Sequence, residues 1–251
     1  MSNRTRRLGI SSLLVVLCTA GLAGPVGAAD DDWEFDFAIY GWLPTIGVEL
    51  PNGTNSKITQ SDIINNLDMT FMGRARVQKN RWSLTTDVLY FDLQHKDRSP
   101  LGPRRDLREI SLQSALIKPT IGYRLLESPK NVFEVYAGAR YFWMQPTLKI
   151  ERTDLDPPQT SQGSQSDSLW DAIVGFRGEY ALNERWFVDY FADVGTGDSD
   201  HVYDLFGGVG YRFRHLDAIA AWRYMDYDFG NDIALKTMTI NGPLAGVRFA
   251  F

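Results

Sequence analysis

Proton transfer near neutral pH falls first to histidine, and the chain has three: His95, His201 and His215. His95 stands near Asp92 and Asp97, and His201 follows Asp198 and Asp200. A histidine beside a carboxylate can take a proton from a serine or a water, so either group could support hydrolysis of lipid or peptide. The sequence supplies no geometry that would bring such a pair to a nucleophile, and loop histidines flanked by acids are ordinarily solvated. No catalytic residue is therefore assigned, and the chain is not expected to be an enzyme. Asp198, Asp200, His201 and Asp204 could also gather a divalent cation, since hard oxygen ligands in a glycine-containing loop suit calcium. Their spacing is not the calcium-loop pattern, so they stand as weak candidates only, and no metal or cofactor is expected.

The largest set of charged side chains is of another kind. Arg74, Arg76, Arg140, Arg177, Arg212, Arg223 and Arg248 face Glu34, Asp87, Glu134, Asp171, Glu179, Asp189 and Asp204 in similar numbers. Such a set could line a selective conduit, or it could pair off into a plug of ion pairs.

The elements that carry these residues decide where they point. From Trp33 onward, apolar and aromatic residues recur at every second position in ten segments of about ten residues, the period of a β-strand. Thus Met69, Phe71, Gly73, Ala75 and Val77 alternate with Thr70, Met72, Arg74, Arg76 and Gln78, and Trp82, Leu84, Thr86, Val88 and Tyr90 with Ser83, Thr85, Asp87 and Leu89. The fourth segment changes phase between Leu112 and Ile117, which predicts a β-bulge near Leu116. A soluble sandwich also alternates, but its long charged side chains would point to water. Here acids and bases share one face with Gly, Tyr and Phe, while the other face is aliphatic with aromatics toward its ends. That is the pattern of an antiparallel, up-and-down transmembrane β-barrel with a lipid-facing exterior and a salt-bridged lumen. Ten strands are expected, with eight or twelve as alternatives. A barrel of that size has an interior largely filled by side chains, which favours the plug over the conduit. Trp33, Trp82, Tyr123, Tyr180 and Tyr211 on one rim, and Trp143, Trp170, Tyr203, Trp222 and Tyr224 on the other, read as interfacial girdles.

The connections alternate short and long. Residues 79–81, 126–131, 181–185 and 213–216 are short, whereas residues 46–66, 97–107 and 151–168 are long. In bacterial barrels the short turns lie on the periplasmic side, which puts His215 there. Ahead of the strands come Arg4, Arg6 and Arg7, an apolar run from Leu8 to about Ala20, and Gly24-Pro25-Val26-Gly27-Ala28-Ala29. This order predicts a secretory signal peptide over 1–28 and a barrel over 29–251, since the apolar run is too short to cross a bilayer. The only cysteine, Cys18, lies in that segment behind Leu17, where a lipoprotein signal wants a small residue. A disulfide framework and a thiol nucleophile are thereby excluded from the barrel. A net charge of −5 argues against nucleic acid as a partner, because phosphate binding needs a concentrated basic surface.

The last residues, Val247-Arg248-Phe249-Ala250-Phe251, resemble the C-terminal strand signature of Gram-negative outer-membrane proteins. That resemblance implies that Phe249 and Phe251 are an assembly signal read by the barrel assembly machinery. Tyr40-Gly41-Trp42-Leu43-Pro44, Ser61-Asp62-Ile63-Ile64-Asn65-Asn66-Leu67-Asp68, Arg81-Trp82 and Asp87-Val88-Leu89-Tyr90 resemble a family of uncharacterised proteobacterial outer-membrane barrel proteins. The family implies a fold and a place in the cell outer membrane, and it brings no activity. The expected function is that of a structural or interaction barrel, or a narrow pore, with outer-membrane lipid and lipopolysaccharide as partners. The alternative is a rim-sited hydrolase acting on lipid or peptide.

Overall fold

The computed structural model describes residues 33–49, 53, 55–61, 63, 67–98, 106–152, 159–164, 166–230 and 236–251. The expected signal segment and Cys18 lie outside them. The described chain is all-β. Its strands are β1 Trp33–Trp42, β2 Thr45–Glu49, β3 Asn55–Ile58, β4 Leu67–Lys79, β5 Trp82–Arg98, β6 Asp106–Glu127 and β7 Asn131–Arg152. They continue with β8 Gln159–Ser164, β9 Asp167–Ala181, β10 Trp186–Gly197, β11 His201–Arg212, β12 Asp217–Asp228 and β13 Thr237–Ala250.

Ten of these close on themselves as an antiparallel barrel in the order β1-β4-β5-β6-β7-β9-β10-β11-β12-β13, with β13 returning to β1. The seam runs from Asp36↔Ala250 to Trp42↔Leu244, and Phe35 and Phe251 exchange backbone hydrogen bonds of 3.2 and 2.9 Å at its end. Within the ten-strand ring closure leaves no free edge, so the ladder of each strand is met on both sides. The short connections, at 80–81, 128–130, 182–185 and 213–216, all fall at the end of the barrel where β1 begins and β13 finishes. The tightest uses Asn80 at φ 53°, a left-handed conformation that asparagine tolerates and that suits a two-residue hairpin.

At the other end the sheet outgrows the barrel. Strands β6 and β7 have 22 residues each, against 12 in β10, β11 and β12. β8 extends the sheet beside β7, and the β2–β3 hairpin continues upward along β13 after the chain bends at Leu43-Pro44. The long connections expected at 46–66 and 151–168 therefore contain strand.

The bulge expected near Leu116 is absent. Pairing of β5 with β6 runs unbroken from Trp82↔Tyr123 to Arg98↔Leu107, and Ser114, Leu116, Lys118 and Thr120 all point inward. The phase change in the sequence has a different cause: toward the loop end the inward face itself turns apolar. Register shifts occur instead between Leu67 and Met69 and between Arg124 and Leu126.

Between the two aromatic rims the outward face of the described strands carries no Asp, Glu, Lys or Arg, and Lys79 and Asp226 stand level with the rim residues Trp33 and Tyr203. Leu84, Ile121, Val174, Leu205 and Val209 are exposed there. From Phe133 to Trp143 this band covers about 33 Å along the strand, or about 25 Å of height at a barrel tilt of about 40°. An apolar belt this wide and continuous far exceeds what a water-soluble surface carries.

Candidate functional site

Alternation sends every second residue into the barrel, and three layers result. Nearest the turns, Arg212 pairs with Glu179, and Arg248 bridges Glu179 at 2.7 Å and Asp217 at 2.6 Å. Their guanidiniums lie over the fully buried Phe187 ring, each 4.9 Å from its centre. That ring needs the glycine at position 210, its register partner, because a side chain there would occupy the same space. Against the β4–β9 wall, the carboxylate of Glu134 accepts from Arg76 at 2.6 Å, Arg177 at 2.7 Å and Ser83 at 2.7 Å.

The middle layer is a buried ion cluster. Asp204 accepts from Lys118 Nζ at 2.7 Å, Arg140 at 3.2 Å, and Arg223 through Nε at 3.0 Å and Nη2 at 2.8 Å. Asp193 accepts from Lys118 at 3.0 Å, Arg140 at 2.5 Å and Tyr136 Oη at 2.8 Å. Asp87 accepts from Tyr40 Oη and lies 3.2 Å from Arg223 and 3.5 Å from Arg74. Three acids thus face three fully buried cations, with Arg74 at the margin. Removing these ions from water is costly, and only dense, well-directed hydrogen bonding offsets that cost. Each carboxylate here has at least three partners. Phe191 and Phe206 stack at 5.0 Å inside the cluster, and Lys118, Arg74 and Arg223 lie 4.3, 5.1 and 5.5 Å from the Phe191 ring centre. Cations over an aromatic face gain further attraction when desolvated.

Above the ions lies an apolar layer. Trp42, Met72, Leu89, Leu116, Phe142, Met144, Met225, Tyr227, Phe229 and Ile240 pack across the interior, and Ile63 joins them from the β3–β4 connection. Below the ions, toward the turns, a cavity of about 230 Å³ remains, reaching from Tyr40, Arg74 and Arg223 down to Glu34, Arg124 and Arg248.

The sequence-derived residues fall unequally into this plan. Arg74, Arg76, Asp87, Glu134, Arg140, Arg177, Glu179, Arg212, Arg223 and Arg248 all make ion pairs in the lumen. Asp171 and Asp189 do not. Asp171 is the register partner of Arg140, yet its carboxylate accepts from the Ser199 N–H at 2.9 Å and hydroxyl at 3.1 Å, tying down a turn. Asp189 faces the cavity with no cation in salt-bridge distance among the described residues. Lys118, Asp193, Tyr40 and Tyr136 are central to the cluster and lie outside the set of ion-pairing residues read from the sequence; their inward phase on β6, β10, β1 and β7 is the signal that could have found them.

The four weak metal candidates are not brought together. Asp204 is buried among the lumen cations, and Asp198 accepts from the Trp170 N–H at 2.8 Å. Among the described residues no group of three metal-ligating side chains converges. His201 Nε2 lies 4.0 Å from Asp228 at the loop-end rim. His215 is exposed in the β11–β12 turn, and the side chain of His95 lies outside the described residues. Phe249 lies near the end of the seam strand β13 and Phe251 directly follows it, 81% exposed.

No protein-family model matches the chain, and neither does any curated protein sequence. Among solved structures it is similar to the outer membrane protease OmpT from Escherichia coli, at 13% identity over 90% of this chain and 99% of that one, with a TM-score of 0.47. It is similar to the translocator domain of the autotransporter NalP from Neisseria meningitidis, at 13% identity over 86% and 88%, TM-score 0.49. A third is Ail, the attachment invasion locus protein of Yersinia pestis, at 9% identity over 87% and 98%, TM-score 0.40. At these identities the likeness is one of backbone alone, and it carries no residue's role from those proteins to this chain.

Proposed function

We propose that the chain is an integral outer-membrane barrel closed to through-flow, with a structural or interaction role. The observation that carries this reading is the double seal of the interior, an ion cluster lying under an apolar layer. The uncharged outward band supports the membrane placement, since lipid, including lipopolysaccharide in the outer leaflet, is what such a belt requires. Phe249 and the exposed Phe251 serve in this reading as the handle for the barrel assembly machinery.

Planar-bilayer recording tests the seal. Purified, refolded protein is expected to insert without producing conductance steps, because solute passage would have to break buried ion pairs and part a packed apolar layer. Regular unitary steps from the unaltered protein would overturn the reading in favour of a narrow pore.

Of the two histidines behind the hydrolase alternative, His201 lies 4.0 Å from Asp228, with the two side chains 44% and 31% exposed. We read them as surface residues of the rim. Hydrolysis of lipid A or peptide is expected to be at background for both the parent protein and a His201→Ala variant. Turnover by the parent that disappears in the variant would establish the alternative.

A further inference from the structure

Two places at the turn end of the barrel carry the same arrangement of basic and aromatic residues. In one, Arg81-Trp82 leads into β5 beside Tyr123-Arg124 of β6; in the other, Arg185-Trp186 leads into β10 beside Tyr211-Arg212 of β11. Each tryptophan is the register partner of its tyrosine. The rings meet edge to face, with centres 4.9 Å apart at 67° for Trp82 and Tyr123 and 5.0 Å apart at 75° for Trp186 and Tyr211. In both, the N–H of the second arginine donates to the carbonyl of the first, at 2.7 and 2.8 Å. The second arginine is spent on carboxylates, Arg124 on Glu34 and Glu127 and Arg212 on Glu179. The first, Arg81 or Arg185, is exposed in its turn and has no carboxylate within salt-bridge distance among the described residues. Arg185 instead donates to Tyr211 Oη at 3.0 Å, and Asn183 Oδ1 fixes its approach by accepting from the N–H groups of Arg185 at 2.9 Å and Trp186 at 2.8 Å.

A guanidinium that gives one N–H to a phenol keeps its other donors, and the phenol keeps its own O–H. Rims of Trp and Tyr mark the edge of the hydrocarbon, so these donors stand at the level of the lipid phosphates. Arginine holds a phosphate through two parallel N–H bonds, with geometry that a point charge lacks. We propose that each of these two places binds the headgroup of one anionic phospholipid, such as phosphatidylglycerol, in the leaflet at the turn end. The phosphate lies on Arg185 and Tyr211, or on Arg81 and Tyr123, and the first carbons of the acyl chains lie along the tryptophan, Trp186 or Trp82, which are 46% and 59% exposed. A zwitterionic lipid fits less well, because its own ammonium offsets the phosphate charge. The site rests on the reading of the chain as a membrane barrel.

The test is native mass spectrometry of the whole refolded barrel, released from micelles after titration with dioleoylphosphatidylglycerol or with dioleoylphosphatidylcholine. Two molecules of the anionic lipid are expected to be retained, at least about tenfold more tightly than the zwitterionic one, the value of one charge-assisted hydrogen bond. Arg81→Gln and Arg185→Gln should each leave one bound, and the double variant none. Lys130→Gln should leave both, since Lys130 is exposed in the β6–β7 turn without a tryptophan–tyrosine pair. Equal retention of the two lipids by the unaltered protein overturns the proposal, and so does a loss in Lys130→Gln as large as in the arginine variants. The first of these outcomes needs no variant to fold. Refolding in vesicles of the zwitterionic lipid separates the site from the reading beneath it: protein that inserts but shows no preference for the anionic lipid has lost the site alone, and protein that stays in the aqueous phase has lost both.

Discussion

Replacing Asp204 with asparagine is expected to lower folding stability by about 3–5 kcal/mol, the usual cost of removing one partner from a buried charge pair. The parent cluster balances Asp87, Asp193 and Asp204 against Lys118, Arg140 and Arg223, all at most 6% exposed in their side chains. An asparagine at this position would keep the volume and one acceptor, but three buried cations would then share two carboxylates. Denaturant unfolding in micelles, followed by tryptophan fluorescence, measures the loss. The informative comparison is the double variant Asp204→Asn with Lys118→Met. It removes one charge of each sign and restores the balance, so it should be more stable than Asp204→Asn alone despite carrying a second change in the interior. Groups that interact directly give such non-additive results, and distant ones do not. If the two losses simply add, the cluster is not an electrostatic unit, and the seal proposed for the lumen loses its physical basis.

The ion cluster also shows how far the sequence could be read. Strand number, closure and the facing of most residues were legible, because lipid outside and ions inside impose a period of two that survives over ten strands. Arg140 and Asp87 announced their direction simply by standing opposite Tyr141 and Val88. Partners were less legible, because they lie across the hollow and not along it. Lys118 finds Asp193 and Asp204, 75 and 86 residues away in the chain, and nothing local marks that choice. Asp171 shows the converse: it has the phase of a lumen acid and a register partner in Arg140, yet a nearby turn offers its carboxylate two donors first. The misread fourth strand has the same origin. Apolar Ile110 and Leu112 read as out of phase with Ile117, with a bulge near Leu116 needed to reconcile them, only on the assumption that the inward face is polar throughout. The loop-end layer of the interior is in fact a hydrophobic core, joined by Phe142, Met225 and Tyr227. The strands hidden in the long connections were missed because their ladders extend the neighbouring strands, where hairpin pairing does more than side-chain pattern to hold them.

The outward band gives the second large effect. Val174 lies about midway between Tyr180 and Trp170 on β9, is 58% exposed, and pairs with Ala137 and Val194, which share its face. In hydrocarbon, Val174→Arg must place a guanidinium near the bilayer midplane, at a cost of about 2–4 kcal/mol, whereas near the interface the cost falls to about 0–1 kcal/mol. Leu182→Arg supplies that second case, since Leu182 is 54% exposed in the β9–β10 turn, beyond the Tyr180 rim. Refolding into lipid vesicles, with stability read from denaturant titration, should therefore separate the two variants by at least about 1 kcal/mol. The contrast is sharp because water predicts the opposite: an exposed valine on a soluble protein exchanges for arginine at almost no cost, and the turn and the mid-strand position would then behave alike. Equal stability of the two variants would mean that the belt around this barrel is not in contact with lipid, and the interior seal would have to be explained without a membrane to seal.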